Sequence, residues 1–208
     1  MAEDAKQEKE ILAELKKDFP LTKESIKEID LSQFSSLHRG EHFRVTYAWK
    51  FTGFLQRVYF VKYRNSHKTT TTPMLADQAF PADATMKYAG IYIKFDQPMP
   101  DFIIRANTQG DKFLNLYFPN SVKVKTVPAF NHKYILESEE SGTIEQVIGV
   151  DLFNTMLIAG DVNVEVKDNK CFIYGLQPFG YDYARLLISI ATDVIKRNIG
   201  QPDLVTEQ

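Results

Sequence analysis

The residues with the clearest chemical potential are cations that alternate with aromatic side chains between positions 39 and 64. Cationic side chains on one face of a sheet can hold a phosphate, a carboxylate or another anion through charge-assisted hydrogen bonds. Two lysines that alternate with valines from position 122 onward could extend such a surface. The candidate ligand-binding residues are therefore Arg44, Lys50, Arg57, Lys62, Lys123 and Lys125.

The basic stretch has two other interpretations, nucleic acid binding and a face that binds no ligand. Exposed rings beside cations are the arrangement that binds single-stranded nucleic acid, through base stacking and phosphate contacts. Here the rings of Tyr47 and Trp49 fall on one face of an alternating strand. Arg44 and Lys50 fall on the other face, which indicates that the rings pack in a core and argues against nucleic acid as the partner. The cationic face could also be solvated, or covered by the acidic N-terminal helix.

Histidine and cysteine residues do not form a recognisable metal or nucleophile motif. His38 and His42 have the four-residue spacing of a helical metal pair, but Gly40 lies between them and a strand begins at His42. Cys171 lies within an alternating aliphatic strand, where a cysteine behaves as a small buried apolar residue. We therefore expect neither a metal ion nor a cofactor.

Carboxylate clusters and short catalytic motifs are the remaining sequence features that could indicate an enzyme. Glu137, Glu139 and Glu140 form a cluster, and general acid–base catalysis uses paired carboxylates in a cleft. They lie beside a Ser-Gly turn and are expected to be solvated. The sequence has no glycine-rich phosphate loop, Gly-x-Ser-x-Gly elbow or HExxH helix. We therefore predict no catalytic residues, with a site scattered along the chain as the enzymatic alternative.

Composition favours one core, and charge is distributed unevenly along the chain. The 208 residues are 44% hydrophobic, which suffices for a single-domain core. The net charge of -2 conceals a basic middle: residues 31–130 carry 13 basic and 6 acidic side chains, whereas residues 131–208 carry 6 and 12. Such asymmetry either marks an anion-binding surface or brings two parts of one fold together, and we favour the second reading.

Cysteine content and the N-terminal segment bear on compartment and domain borders. One cysteine allows no internal disulfide, which favours a reducing interior. Residues 1–17 are charged, and no run of about 18 uncharged apolar residues occurs. We expect a soluble, cytoplasmic protein without a transmembrane segment. Its expected organisation is a helical N-terminal appendage at 1–30, a single α+β domain at 31–200 and a tail at 201–208.

The first two thirds of the chain predict two helices and then an antiparallel meander. Apolar residues at helical spacing predict a helix over residues 3–17, and a second short helix over Thr22 to Ile29. Turn-forming residues at short spacing favour antiparallel connections between the strands. Strands are predicted over residues 42–52, 55–63, 86–95, 102–105, 113–118, 122–127 and 133–137, with a polar threonine tract at 69–72 and a loop at 73–85.

The last third predicts short helices, a hairpin and a long helix. Thr143 and Gln146 match a capping box, and a helix over residues 151–159 ends at Gly160. The alternating valines after it pair with the strand that contains Cys171, so that Val164 lies opposite Ile173 and Val166 opposite Cys171. An apolar stripe from Tyr183 to Ile195, with Asp182 at the start, predicts a terminal helix packed on the sheet.

Residues 130–199 resemble a family of uncharacterised bacterial domains. The stretches that carry the resemblance are KYIL at 133–136, DLFN at 151–154 and KCFIY at 170–174. The resemblance implies a shared order of strand, short helices, hairpin and terminal helix, and it implies no activity. Members of that family are often attached to a membrane by an N-terminal hydrophobic segment, and this sequence departs from that pattern.

Together these features predict an α+β fold: an antiparallel β-rich sheet or partly open barrel with N-terminal helices and a docked C-terminal helix. The predicted function is a noncatalytic binding or interaction module for an anionic small molecule, a lipid or a protein partner. The alternative is a structural subunit that self-associates as a homo-oligomer through its sheet edge or N-terminal helix.

Overall fold

The computed structural model of the chain consists of one antiparallel layer of strands with helices on one side. It describes residues 2–34, 42–66, 86–107, 121–175 and 180–199. Within these ranges, the helices are α1 (Ala2–Asp18), α2 (Phe130–Lys133), α3 (Ile144–Ile148), α4 (Val150–Ala159) and α5 (Tyr181–Ile199). The strands are β1 (Leu21–Glu24), β2 (His42–Phe51), β3 (Arg57–Ser66), β4 (Met86–Lys94), β5 (Phe102–Ala106), β6 (Ser121–Val122), β7 (Tyr134–Glu137), β8 (Val162–Lys167) and β9 (Lys170–Gly175).

All described strands belong to a single antiparallel sheet in the order β1-β2-β3-β4-β9-β8-β5-β7-β6. The sheet is open, because β1 and β6 lie at its two edges and do not pair with each other. The predicted α+β class and the docked C-terminal helix are confirmed. Of the two predicted forms of the β layer, a sheet or a partly open barrel, the structure has the open sheet.

One face of the sheet, which we call the helical face, carries an aliphatic core under the helices. α5 packs on β4 and β9 and buries Leu187 and Ile190 completely. The β8–β9 hairpin has the predicted register, with Val164 opposite Ile173 and Val166 opposite Cys171. Cys171 is fully buried, as predicted, and burial raises the pKa of its thiol. The long helix therefore closes the central strands on this side.

The opposite face, which we call the aromatic face, is lined by large rings. It is covered by an irregular segment, residues 29–34. Ile29, Leu31 and Phe34 from that segment are buried against it. Phe34 is inaccessible to solvent, and its ring centroid lies 6.4 Å from that of Tyr92 and 5.8 Å from that of Phe172. The sheet-side residues of this cluster are Ala48, Tyr59, Val61, Tyr63, Tyr88, Tyr92, Phe172 and Tyr174.

A β-bulge in β2 overturns one prediction about the faces. Val45 pairs with Tyr63 while Tyr47 pairs with Lys62, so Thr46 is an extra residue on the β2 side. Val45 packs with the aromatic cluster, whereas Trp49 belongs to the helical-face core. The predicted uninterrupted alternation along β2 is therefore wrong, because one inserted residue reverses the face of every residue beyond it.

The predicted helix from Thr22 to Ile29 is wrong, although α1 is confirmed. Leu21–Glu24 is strand β1, which pairs with β2, and only Ile26–Glu28 forms a 3-10 turn, capped by the Ser25 hydroxyl. A strand forms here because pairing satisfies the backbone groups along the edge of β2, and this outweighs weak local helix propensity. Leu15 of α1 is fully buried in the main core, so residues 1–30 contribute to both core and sheet.

Other predicted elements differ in length or in detail. The strand predicted over 122–127 is limited to Ser121–Val122, and α3 follows Thr143 without a hydrogen bond from its side chain. α4 is confirmed, and Gly160 ends it with a positive φ of 70°. The predicted threonine tract at 69–72, loop at 73–85, strand at 113–118 and tail at 201–208 lie outside the described residues.

Candidate functional site

A groove of about 420 Å³ lies between α1 and strands β2 and β3 on the helical face. We call it the α1 groove. Its helical wall consists of residues at positions 9, 12, 13 and 16, a spacing that places them on one stripe of α1. The lining residues are Lys9, Leu12, Ala13 and Lys16 from α1, Tyr47 and Trp49 from β2, and Lys62 from β3.

Stacked aromatic rings form the apolar wall of the α1 groove. The rings of Tyr47 and Trp49 are nearly parallel, with centroids 5.7 Å apart and an interplanar angle of 23°. Trp49 also packs against Phe60 of the core, at a centroid distance of 5.9 Å. Trp49 is buried to 8% exposure, whereas Tyr47 keeps 47% of its surface exposed. Trp49 therefore anchors the wall in the core, while Tyr47 is exposed to solvent.

Lysine side chains supply the charge of the α1 groove. Lys62 projects from β3 and is only 6% exposed, while Lys9 and Lys16 are exposed on α1. Lys23 approaches from β1, with its Nζ 6.0 Å from the centroid of the Tyr47 ring. None of the described residues that line the groove carries a carboxylate. The groove therefore combines apolar walls with a concentration of positive charge.

Four of the six predicted ligand-binding residues are divided between the two faces of β2 and β3, and the other two follow the edge strand β6. Lys62 lines the α1 groove. Arg44 pairs with Arg64 and so projects from the same face as Lys62, because Lys62 and Arg64 are two residues apart on β3. Lys50 of β2 pairs with Tyr59 of β3 and projects from the aromatic face. Arg57, two residues before Tyr59 at the start of β3, projects from the same face. The bulge thus separates Arg44 from Lys50, which the sequence placed together.

The remaining two predicted residues lie far from the groove. Lys123 and Lys125 follow β6, which forms the edge of the sheet opposite β1. The backbone nitrogens of Lys125 and Thr126 donate hydrogen bonds to Glu145 Oε1, at 2.9 and 2.6 Å. These bonds lower the pKa of the Glu145 carboxyl, the contacts with Thr126 contributing most. Both lysines are exposed, and the structure does not bring them to the other four predicted residues.

Sequence reasoning missed most of the groove. Lys9 and Lys16 were counted only as part of an acidic helix, and Tyr47 only as a packing ring. The available signal was their position: Lys9 and Lys16 are seven residues apart and flank Leu12 on one helical stripe. No pattern in the sequence shows that this stripe lies opposite Tyr47 and Lys62, because that contact depends on tertiary packing.

The glutamates and histidines considered as catalytic or metal-binding groups do not form a site among the described residues. Glu137 is not simply solvated as predicted, because its Oε1 accepts a hydrogen bond from Arg105 Nε at 2.8 Å; Glu139 and Glu140 are exposed. His132 is exposed, and the side chains of the other three histidines lie outside the described part of the chain. No cluster of three potential metal ligands occurs in the described residues. None of their helices has the length and apolar character needed to cross a membrane.

Comparison with known proteins gives no assignment. No family model, no curated protein and no solved structure matches the chain. The resemblance of residues 130–199 to uncharacterised bacterial domains therefore stays a prediction.

Proposed function

We propose that this chain is a binding module that holds a small anionic amphipathic molecule in the α1 groove. The observation that carries this proposal is the convergence of three lysines, Lys9, Lys16 and Lys62, on the stacked rings of Tyr47 and Trp49. A ligand of this class would lay its apolar body against the rings and direct its acidic group toward the ammonium groups. Concave apolar sites with a few convergent polar groups are the usual form of small-molecule sites.

The amphipathic character of the ligand follows from the exposure of the groove residues. Tyr47 leaves nearly half of its surface in solvent, and covering that surface is favourable by about 25 cal/mol per Å² of apolar area. Lys62 is largely desolvated, so a carboxylate, sulfate or phosphate group that reaches it would form a charge-assisted bond in a medium less polarisable than water. A free inorganic anion would form the charge-assisted bond with Lys62 but would not cover the apolar surface of Tyr47.

Trp49 makes a direct test possible, because it is the only tryptophan of the chain. We would titrate the protein with dodecanoate, dodecanol and dodecyltrimethylammonium below their aggregation limits and follow the tryptophan emission. We expect a saturable change with dodecanoate at a concentration about tenfold lower than with dodecanol, because one charge-assisted bond contributes about 1.4 kcal/mol. Equal affinity for the neutral or cationic chain would contradict the proposal.

Charge variants locate the binding in the groove. Lys62→Met, and a separate Lys9→Met, Lys16→Met double variant, keep apolar length and remove charge, so each should weaken dodecanoate binding about fivefold. Lys50→Met is the matched control, since Lys50 lies on the same sheet but projects from the aromatic face. Thermal melting of each variant checks that the fold is retained. An equal loss in the Lys50 variant would mean that general charge, and not the groove, determines binding.

Native mass spectrometry of the freshly purified protein complements the titration. A copurified acid of stoichiometric amount would identify the ligand class. A bare and discrete oligomer would instead support the alternative of a self-associating subunit, for which the exposed edge of β1 offers a pairing site.

A further inference from the structure

A second cavity, of about 250 Å³, lies near the opposite edge of the sheet from the α1 groove. It is formed where β5 ends, β7 begins and α4 passes into β8. The lining residues are Ala106, Asn107, His132, Lys133, Tyr134, Gly160 and Asp161. Its volume is below the usual range for drug-sized ligands, which suits a smaller polar molecule. We call it the polar cavity.

Hydrogen bonds hold the walls of the polar cavity in place. Ala106 N donates to Asn163 Oδ1 at 3.0 Å, and Asn107 N donates to the carbonyl of Lys133 at 2.7 Å. The Tyr134 hydroxyl is buried and contacts the carbonyl oxygens of Met156, at 2.8 Å, and of Gly160. These bonds tie the end of β5 to β8 and α2, and the start of β7 to α4, so the walls of the cavity are held by the fold itself.

One atom of the wall lacks the partner that burial normally requires. The side-chain oxygen of Asn107 is buried and accepts no hydrogen bond from the described residues. Buried acceptors are almost always paired, and leaving one without a donor is unfavourable. A ligand that brings a hydrogen-bond donor to Asn107 Oδ1 would remove this deficit.

The charges around the polar cavity are of both signs. The Lys133 ammonium stands at the end of α2 and the Asp161 carboxylate stands before β8, while His132 beside Lys133 adds an imidazole N–H donor. The Lys133 ammonium donates to the Leu157 carbonyl at 3.0 Å, which fixes its position while an ammonium group offers three donors in all. A simple anion would suit Lys133 but would leave Asn107 Oδ1 unpaired and approach Asp161. A simple cation would suit Asp161 but approach Lys133.

We propose that the polar cavity binds the dipolar head group of a free α-amino acid. Its ammonium group donates to Asn107 Oδ1 and to the Asp161 carboxylate, and its carboxylate accepts from Lys133 and His132. This arrangement satisfies the buried acceptor and pairs each charge with its opposite. The site is independent of the α1 groove and requires no chemistry at the ligand.

The test is a titration of the ¹⁵N-labelled full chain with glycine, alanine, glutamate and lysine, followed by amide shifts. We expect saturable shifts of the amides at 106–107, 132–134 and 160–161 with at least one amino acid below about 10 mM. Acetate and methylammonium chloride at the same concentrations are the single-charge controls. Shifts of equal size with either control would overturn the proposal in favour of simple ion binding, and no saturable shift with any of the four amino acids would overturn it outright.

Variants assign the roles and separate binding from folding. Asp161→Asn and Lys133→Met should each weaken binding about tenfold. Asn107→Leu should abolish binding while leaving the melting temperature unchanged or higher, because it removes the unpaired acceptor. The Lys62→Met protein should bind amino acids as the unaltered chain does, which distinguishes this site from the α1 groove. Retained affinity in the Asn107→Leu protein would contradict the assignment of the acceptor.

Discussion

The two faces of the central strands come from one alternating pattern but are covered in different ways. On the helical face, aliphatic residues such as Ile91 and Ile173 lie under α5, a regular helix of 19 residues. On the aromatic face, rings such as Tyr92 and Phe172 lie under an irregular segment in which Ile29, Leu31 and Phe34 are buried. Both faces need a partner layer that excludes water, and on the aromatic face the large rings also fill space by packing against each other.

The aromatic face also buries polar atoms among its rings. The Tyr63 hydroxyl lies 3.5 Å from the Gly175 carbonyl, at the rim of the cluster. Burial raises the pKa of Tyr63 well above its usual range and that of Tyr92 to about 12, so both remain neutral at physiological pH. The aromatic face is thus closed under its segment. The helical face opens at the α1 groove, where α1 lies over β2 and β3. The proposed binding site therefore lies where the sheet is incompletely covered.

The largest expected effect is that of removing the ring that covers the aromatic face. Phe34→Ala should lower the free energy of unfolding by about 4 kcal/mol, because the ring is fully buried and contacts Tyr92 and Phe172. Urea denaturation followed by circular dichroism measures this change. The matched variant on the helical face is Leu187→Ala, for which we expect about 3 kcal/mol.

The pair of variants distinguishes two views of the irregular segment. If the segment unfolds with the sheet, both substitutions lower the denaturation midpoint. A large shift for Leu187→Ala beside an unchanged midpoint for Phe34→Ala would mean that the segment opens separately, and hydrogen exchange at residues 29–34 would then be fast in the unaltered protein.

A second prediction concerns the close approach of a ring to the backbone on the aromatic face. A Cβ atom on Gly90 would lie 2.8 Å from two ring atoms of Phe172 and 2.9 Å from the Ile173 carbonyl. Gly90→Ala should therefore destabilise the fold by about 2 kcal/mol, through overpacking of the cluster. Gly142→Ala is the control, since no atom lies within 4 Å of its Cβ position, and it should change the midpoint by less than about 0.5 kcal/mol. Similar melting curves for the two variants would show that Phe172 moves aside at little cost.

A third prediction tests the ion pair that anchors the segment over the aromatic face. Lys170 Nζ donates to Asp30 Oδ2 at 2.9 Å, and this bond, with those from Ser32, lowers the pKa of Asp30 from 3.8 to about 2. Because the pKa is lowered on folding, the stabilisation is complete above about pH 4 and is lost as the pH falls toward 2. The Asp30 side chain is 48% exposed, so solvent screening limits the contribution to about 1 kcal/mol.

The measurement compares the unaltered protein with Asp30→Asn in urea at several pH values. At pH 6 the variant should be less stable by about 1 kcal/mol, and the difference should shrink between pH 4 and pH 2.5. The control is Lys167→Met: Lys167 lies on the same hairpin as Lys170 but pairs with Asp101, so its removal leaves the Asp30 ion pair intact. A difference that is constant with pH would show that Asp30 acts through its backbone conformation and not through its charge.

Elements with a strong local period were predictable from the sequence, and contacts between elements were not. The helical spacing of α1 and α5 and the alternation of the β8–β9 hairpin follow directly from residue order, since local packing alone favours them. The pairing of β4 with β9 joins strands more than seventy residues apart, and nothing in either strand specifies it. The segment 21–24 became a strand only because the edge of β2 was available.

The candidate site shows the same division. Lys62 was predicted, because it lies in a basic and aromatic strand. Lys9 and Lys16 on α1 were not predicted, because they come to line the same groove as Lys62 only when the helix packs on the sheet. The bulge at Thr46 had no sequence signal of its own, yet it decides which cations share a face with the groove.

The smallest expected effect on stability is that of truncating the exposed ring of the α1 groove. Tyr47 is 47% exposed and contacts Trp49 on one side only, so Tyr47→Ala should cost about 0.5 kcal/mol in urea denaturation. The same change removes half of the stacked wall and should weaken dodecanoate binding about tenfold, measured by Trp49 emission. Tyr47→Phe keeps the ring and should preserve both quantities. A groove that exists only to complete the core would show the reverse, with a large loss of stability and no change in binding.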